Sequence, residues 1–523
     1  MKKRFLALLL CVLLGAMAIS TASAETEDLY PDELSILAGL SEHISKVGGT
    51  SNNDNYVYQT IEEWTGTHVN WIHPAAGSDY DMQINLLVSS GDLPDMIVRG
   101  NWKGINGGLP MWEEDGVILD LTELMPEYMP NYMALIEERD AMNALLVDGK
   151  LYYISEIGHA SAYRGPLLRG DWLTALGLEV PTTTTDELYD VLKAFQTQDP
   201  NGNDQADEWA VSGGAFSADG NFGLGHLLWP WGITYGFMQI DGRVTYGPME
   251  PEFTPAMEYI AKLYAEGMID PDYSTQDRNM LDGKFMNDLV GYEYGMQPTT
   301  MNTAMEGTGF EAVGIPNLRT SEDSPAYVFG QEYVAYVNSN CDLVLTTACE
   351  EPEKALRWLD NFFSEEGILL TNFGIEGKSF VYDENGTPVY DPTGALADHP
   401  ELDETSYTDF YTLMSMSAFP TVQTKEAYYA TLHPLSAEAI SGWNESADVS
   451  RILPNMALTA EESEEINDKL VDIETYIAVE YDKLVTGQTP ISEIPNIQQR
   501  LIELGIEDCI AVYQQAYDRY LGQ

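Results

Sequence analysis

The chain has 523 residues, 44% of them hydrophobic and 11% aromatic, and it sets 25 Lys+Arg against 84 Asp+Glu for a formal charge of −59. That apolar content is enough for a packed core, which excludes an intrinsically disordered chain. The charge excludes nucleic acid and anionic membrane surfaces as partners, because both attract the opposite sign.

The first residues are an export signal. Met1-Lys2-Lys3-Arg4 precedes an apolar run from Phe5 to Ala18, and Ala22-Ser23-Ala24 supplies an Ala-x-Ala cleavage site, so 1–24 is expected to be a signal peptide. Cleavage leaves 499 of the 523 residues and takes the charge from −59 to −62 by removing Lys2, Lys3 and Arg4. No later stretch reaches the ~18 apolar residues that a membrane helix needs. Leu10 before Cys11, after a very short apolar run, argues against a lipid attachment site. The expected product is exported, extracellular or periplasmic. It is too long for one simple core, so two or more lobes are expected. Cys341, Cys349 and Cys509 remain after cleavage, an odd set that excludes a disulfide framework; whether Cys341 pairs with Cys349 is open.

From Leu34 the chain alternates. Leu34–Ala38 predicts a strand, Tyr56–Trp64 a helix stopped by Gly66, and Thr67–Ile72 a second strand. Tyr80–Ser89 predicts a helix stopped by Gly91, and Asp95–Val98 a third strand. This order argues for a doubly wound α/β sheet. Ligands in such sheets lie beyond the carboxyl ends of the strands, which makes Arg99, Asn101 and Trp102 candidate binding residues.

The stretch Arg169–Trp209 carries the strongest chemical signal. After Arg169-Gly170-Asp171-Trp172, Thr184 and Glu187 have capping-box spacing for a helix whose Leu188, Val191, Leu192 and Phe195 share one face. The helix runs into a decapeptide in which Asp199, Asn201 and Asn203 take the first, third and fifth places of a calcium loop. Gln205 would offer its carbonyl at the seventh place, with Asp207 and Glu208 closing the shell. Hard oxygens on alternate residues of a tight turn suit a structural Ca2+. Asp204 stands where an EF-hand has glycine, no Glu follows at the twelfth place, and Gly202 is expected to supply the turn instead. The plainer alternative is an Asn/Gly/Asp-rich surface loop.

Further elements follow in order. Phe253–Gly267 predicts a helix with Met257, Ile260, Ala261 and Tyr264 on one face. Tyr292–Met296, Ala312–Pro316 and Tyr333–Val337 predict strands of a second α/β lobe. Pro352 opens a helix containing Leu356, Leu359, Phe362 and Phe363. The segment 383–405 reads as loop, and long helices are expected over 461–484 and 508–521. Trp64, Trp209 and Trp358 are expected in the core.

Several stretches, in order along nearly the whole chain, carry a resemblance. They are Ile61-Glu-Glu-Trp-Thr-Gly-Thr-His-Val, Ser90-Gly-Asp-Leu-Pro-Asp-Met-Ile, Arg169-Gly-Asp-Trp-Leu, Gly177-Leu-Glu-Val-Pro-Thr-Thr and Asp199–Glu208, then Glu351-Pro-Glu-Lys-Ala-Leu-Arg-Trp-Leu, Glu366-Gly, Phe373-Gly-Ile-Glu-Gly-Lys and Gln515-Ala-Tyr-Asp-Arg-Tyr. Together they resemble the family 1 extracellular solute-binding proteins of bacterial ABC transporters, in the large calcium-loop branch that binds oligosaccharides. The resemblance implies a two-lobed periplasmic-binding-protein-like α/β fold, each lobe a doubly wound sheet flanked by helices, with three crossings and a ligand cleft between lobes. The expected boundaries are 25–155 with 317–376 for the N-terminal lobe and 156–316 with 377–523 for the C-terminal lobe. Family members are often lipid-anchored, from which Leu10-Cys11 departs. The implied partners are permease subunits at the membrane and a cytoplasmic ATPase, and the chain itself is expected to be a monomer.

A sugar cleft needs aromatic planes and planar polar groups. Trp229, Trp231 and Tyr235 form an aromatic group in a Gly-rich stretch. The resemblance adds sugar contact to Arg99 and Trp102, places Tyr163 and Arg164 near the first crossing, and sets Gln297 and Glu332 near strand ends facing the cleft. The alternatives are a glycoside hydrolase using two carboxylates and a surface adhesin. Neither a nucleophile motif nor zinc spacing supports catalysis, so no catalytic residue is assigned, and neither repeats nor an anchoring tail supports an adhesin. The solute's identity, linkage and length stay open.

Overall fold

The computed structural model describes residues 29–522 apart from 41–43, 46–47, 75–79, 101, 103–107, 181–183, 206, 215–222, 297, 401–418, 431 and 457. The expected signal peptide, Cys11, Asn101 and Gln297 lie outside the described residues.

β1 (Glu33–Leu37), α1 (Tyr56–Thr65), β2 (His68–Ile72), α2 (Tyr80–Ser90) and β3 (Met96–Arg99) alternate as predicted. Asn55 starts α1 by accepting the Val57 N–H, and Gly66 ends it; each cap satisfies backbone groups that a helix end leaves orphaned. Unlabelled short helices lead to β4 (Ile154–Ile157). The chain then builds β5 (Arg164–Arg169), α3 (Thr185–Thr197), β6 (Trp209–Val211), the hairpin β7 (Phe237–Ile240) and β8 (Arg243–Tyr246), α4 (Phe253–Ala265), α5 (Arg278–Met286), β9 (Val290–Met296) and β10 (Ala312–Gly314). It returns with β11 (Val337–Leu345), α6 (Pro352–Asp360), α7 (Glu365–Phe373) and the hairpin β12 (Phe380–Tyr382) and β13 (Pro388–Tyr390). Last come α8 (Lys425–Ala430), α9 (Pro434–Ser446), α10 (Ala460–Val485), α11 (Ile494–Glu503) and α12 (Ile506–Tyr520).

Two sheets result. One has the order β2-β1-β3-β11-β4 and the other β10-β5-β9-β6. In the first, β1 is parallel to β2 and β3, while β11 runs antiparallel to β3 and β4. In the second, β5 is antiparallel to β9 and β10, and β6 is parallel to β9. Each sheet has its own apolar core, with Ile36, Ile97, Leu343 and Trp358 in one and Leu168, Phe195, Ile260 and Tyr292 in the other. The protein is two-lobed and α/β. α3 shows how directly pattern becomes packing. Thr184 and Glu187 form both bonds of the capping box, and Leu188, Val191, Leu192 and Phe195 are all buried. Each such burial contributes about 1.5–3 kcal/mol.

Four expectations need correction. Tyr333–Val337 is not a strand of the second lobe: Gln331–Tyr333 is a 3-10 turn, and the strand begins at Val337 in the first sheet. Tyr333 to Tyr336 belong to no strand, and pairing starts only at Val337, which meets Ile157 of β4, so the propensity of the residues before it goes unused. On α4 the buried set is Phe253, Ala256, Met257, Ile260 and Leu263, whereas Ala261 and Tyr264 are half-buried; the aliphatic Leu263 takes the inward position. Trp64 is 45% exposed, because the buried face of α1 stops at Ile61. The segment read as loop from 383 contains the β12–β13 hairpin, whose turn is closed by Asp383 accepting the Asn385 and Thr387 N–H groups at 2.8 Å. A short helix, Thr393–Asp398, follows. Trp209 is half-buried and Trp358 buried. Cys341, Cys349 and Cys509 are buried free thiols. Among the described residues no helix is long and apolar enough to cross a membrane.

The lobes are joined by three crossings that lie side by side. The first leaves β4 and enters β5, the second leaves β10 and enters β11, and the third leads into α8. Gly158 N–H donates to the Tyr336 carbonyl at 2.7 Å and Ser161 N–H to the Glu332 carbonyl at 2.9 Å, tying the first crossing to the second. Ile157 N–H donates to Thr421 at 2.9 Å, and Gln423 N–H returns to Ile157 at 2.8 Å, tying the first to the third.

Candidate functional site

The carboxyl ends of β3, β4 and β9 and the entry of β5 meet at these crossings. Arg164 opens β5 opposite Met296, the last residue of β9. Its guanidinium lies over the Tyr163 ring, 4.4 Å from the centroid, and donates to the Tyr163 hydroxyl. Its Nε is 3.3 Å from Oε1 of Glu332, with the two side chains 13% and 10% exposed. Burial pushes the Glu332 carboxyl up, and the Arg164 charge opposes that. The structure thus brings Tyr163, Arg164 and Glu332 together, from two different crossings.

The other predicted residues are spread more widely. Arg99, at the end of β3, grips Asp81 through Nε at 2.7 Å and Nη2 at 3.0 Å, which holds the Asp81 carboxyl below the usual range. Trp102 is fully buried, donates from Nε1 to the Asp342 carbonyl at 3.2 Å, and meets Trp112 edge-on. Trp229 is packed edge-on against Tyr294, and Tyr235 lies against Tyr481 in the second-lobe core. Trp231 is half-buried with its ring 5.2 Å from that of Tyr259. The Gly-rich setting of these aromatics was a poor guide, because the Leu224–Trp231 segment is a buried 3-10 helix.

Sequence reasoning missed the tyrosines at the crossings. Tyr336 of the second crossing is 37% exposed. Tyr428 and Tyr429, on α8, are half-buried, and His159 of the first crossing lies 5.1 Å from the Tyr428 ring. Burial lowers the His159 pKa and raises that of Tyr428, which also feels Tyr429 and Tyr163. The paired Tyr428-Tyr429 was the available signal, but nothing local said that the third crossing would deliver it here. Gly165 is needed beneath, since a Cβ there would sit 2.3 Å from the Trp443 ring. Trp443 in turn donates to the Ile315 carbonyl at 3.0 Å and locks α9 onto β5 and β10.

Beside this group lies a second charged cluster. Arg278, at the start of α5, reaches Asp282 at 2.7 Å and Glu293 at 3.2 Å, and donates to the Tyr294 carbonyl at 3.2 Å. Glu293 is fully buried. Its Oε2 has no hydrogen-bond partner, so burial outweighs the Arg278 charge and pushes the carboxyl up to about 8.

The acidic loop sits at the far end of α3. Asp199 accepts the Asn203 N–H at 3.1 Å and the Asp204 N–H at 2.9 Å. Asn201 also accepts the Asn203 N–H, at 3.0 Å, and Asn203 accepts the Gln205 N–H at 2.7 Å. Gly202 has φ 70°, as expected of the turn, but Asp204 also takes the left-handed conformation at φ 62°, which short Asx side chains tolerate. Glu208 is 5% exposed and its Oε1 is buried without a partner. Burial raises its carboxyl, and the Asp207 and Asp199 charges raise it further. An orphaned carboxylate oxygen among like charges is what a hard cation would relieve. Among the described residues no three His, Cys, Asp or Glu side chains group closely enough to hold a metal by themselves, so a shell here depends on the Asn201, Asn203 and Gln205 oxygens as well. The residues fit a calcium ion whose chemistry would be structural charge compensation.

No protein-family model matches the chain. It is 25% identical over 497 residues to a Streptococcus pneumoniae protein named fructooligosaccharide ABC transporter substrate-binding protein FusA, covering 90% of this chain and 87% of that one. It is 24% identical to lipoprotein LipO of Bacillus subtilis, over 73% of this chain and 74% of the other; the expectation that this chain lacks a lipid anchor gains no support from such a relative. Among solved structures it resembles an alginate-binding protein, AlgQ2, described without calcium ion (TM-score 0.64, 23% identity, 93% of this chain and 98% of the other). It also resembles an EF-hand mutant of FusA from S. pneumoniae in complex with fructo-nystose (TM-score 0.66, 22% identity, 94% and 99%).

Proposed function

We infer that this chain is an extracytoplasmic solute-binding protein of the ABC-importer type, which captures an oligosaccharide by cleft closure and delivers it to permease subunits. The observation that carries this reading is the hinge. Three adjacent crossings join two separate α/β cores, and Tyr163 with its Arg164–Glu332 pair lies near Tyr428 and His159 where the first and third crossings run together. A solute gripped by both lobes selects the closed state, because only that state makes both sets of contacts. Aromatic planes beside charged and amide groups suit the alternating apolar faces and hydroxyls of a sugar. The similarity to FusA over nine-tenths of the chain supports the same reading.

The chain acts as a carrier without chemistry of its own, and Asp199, Asn201, Asn203, Gln205, Asp207 and Glu208 hold a structural calcium ion. The protein is exported and works at the outer face of the membrane as a monomer. Calorimetry against soluble oligosaccharides, followed by chromatography of the recovered ligand, tests this. Tight binding with intact ligand is the expected result; turnover of the ligand would favour a hydrolase instead.

A further inference from the structure

The three crossings are not the whole of the contact between the lobes. The short helix Met142–Leu145 and the turn after it belong to the first lobe, whose core takes up Ala141, Leu145 and Leu151. α12 belongs to the second, whose core takes up Ile506, Cys509 and Val512. Yet the exposed Asn143 donates from Nδ2 to the carbonyl of Tyr520, the last residue of α12, at 3.2 Å. A carbonyl in the last turn of a helix has no partner within that helix, and here the other lobe supplies one, 377 residues away along the chain.

The same two segments are matched in charge. Arg519 grips Glu462 through two bonds, at 2.8 and 2.7 Å. That grip holds its guanidinium charged, and the Asp148 carboxylate of the first lobe adds to the effect. Burial raises the Tyr520 hydroxyl, and the Asp140 charge raises it further across the same boundary. Asp148 is held in place by its turn. Asp148 and Gly149 have φ 49° and 78°, and the turn is closed by Val147 N–H to the Lys150 carbonyl at 2.9 Å and Lys150 N–H to the Val147 carbonyl at 3.0 Å. Two central residues with positive φ are the mark of a tight two-residue hairpin turn.

We propose that the 140–148 segment and the carboxyl end of α12 form a non-covalent tie between the lobes, which sets the angle at which the hinge rests. The hinge axis is fixed by the crossings, to which neither segment belongs, so rotating the cores stretches or compresses this contact. Hydrogen bonds weaken steeply once their geometry is lost. An exposed bond and an exposed charge contact each exchange against water at little cost, so the tie biases the hinge without locking it. The proposal goes beyond the ligand reading, since it needs only that the lobes rotate.

The test uses the full mature chain and no ligand. Spin labels on Gln59→Cys and Glu258→Cys, exposed positions on α1 and α4, report the lobe-to-lobe distance by pulsed electron spin resonance, since Cys341, Cys349 and Cys509 are buried. Asn143→Ala combined with Asp148→Asn removes the bond and the charge at two exposed positions, and asparagine tolerates the left-handed turn. The double variant should show a broader distance distribution than the parent. The parent should broaden partway in ~1 M salt, which shortens the reach of charges to about 3 Å, whereas the double variant should not change. Asn85→Ala, an exposed substitution on α2 of the first lobe, should match the parent. Identical distributions for the parent and the double variant overturn the tie and leave the solute-binding reading standing. So does equal broadening by Asn85→Ala, which would mark a general loosening of the first lobe.

Discussion

Asn201 and Asp288 tie the acidic loop to the second lobe. The Asn201 Nδ2 donates to the Asp288 carbonyl at 3.1 Å, while the Asp288 carboxylate pairs with Arg169. Arg169 is 1% exposed, grips Asp171 as well, and is sandwiched between the rings of Trp172 and Phe310. A change in the loop is therefore felt where β5 ends.

Chelation should lower the melting temperature. A site that binds only the folded state stabilises it by about 2.7 kcal/mol at a hundredfold excess over Kd, and ~1 kcal/mol corresponds to about 2–4 °C for a lobe of this size. The expected drop is thus about 5–10 °C, reversed by calcium better than by magnesium. Scanning calorimetry of the parent and of Asp199→Ala checks it. Equal melting of both, with and without chelator, would show that the loop is only a turn.

Trp231→Ala should cost stability rather than affinity. The ring packs on Tyr259 within the second-lobe core, and losing a half-buried aromatic costs ~2 kcal/mol, below the range for fully buried ones. Tyr336→Ala, by contrast, should weaken oligosaccharide binding by about 1–3 kcal/mol and barely move the melting point, because Tyr336 is 37% exposed at the second crossing. Paired calorimetry and thermal melts decide both, and a reversal of the two effects would return Trp231 to the cleft.

Stability should fall with rising pH through Glu293. Its folded carboxyl is raised to about 8, above the ~4.3 of an unfolded chain. The folded state therefore keeps a proton that the unfolded state releases. The stability this gives is fully present below about pH 4.3 and is lost progressively as pH rises towards 8. Glu293→Gln, which imitates the protonated form, should melt like the parent near pH 4 and progressively higher than it as pH rises to 8.5. A pH-independent difference would mean that Glu293 is ionised throughout beside Arg278.

Saturating ligand should shrink the radius of gyration in small-angle scattering. The three crossings are joined to each other by backbone bonds, so closure is a rotation of two intact lobes about them. Tight binding with an unchanged radius would count against hinge closure.

Local pattern was sufficient for much of this fold. Alternation of strands with capped helices predicted β1 to β3 and their helices almost to the residue. Capping-box spacing predicted α3, and Asx spacing predicted the acidic loop, because caps, turns and amphipathic faces are settled by residues within a few positions of one another.

What the sequence by itself determined is therefore most of the elements, a chain of more than one α/β lobe, and the loop after α3. The tertiary structure alone decided which aromatic side chains are available to a ligand. Trp102, Trp229 and Tyr235 carry the residue type a sugar site needs, yet they are buried. Tyr428 comes beside His159 and Tyr163 only because segments far apart in sequence run side by side at the crossings. Tyr333 to Tyr336 have strand propensity but belong to no strand, and the neutralising partners of Arg99 and Arg164 come from other elements, 18 and 168 residues away along the chain. Burial and charge pairing are properties of neighbours in space, and no local pattern encodes which distant carboxylate or ring will be one.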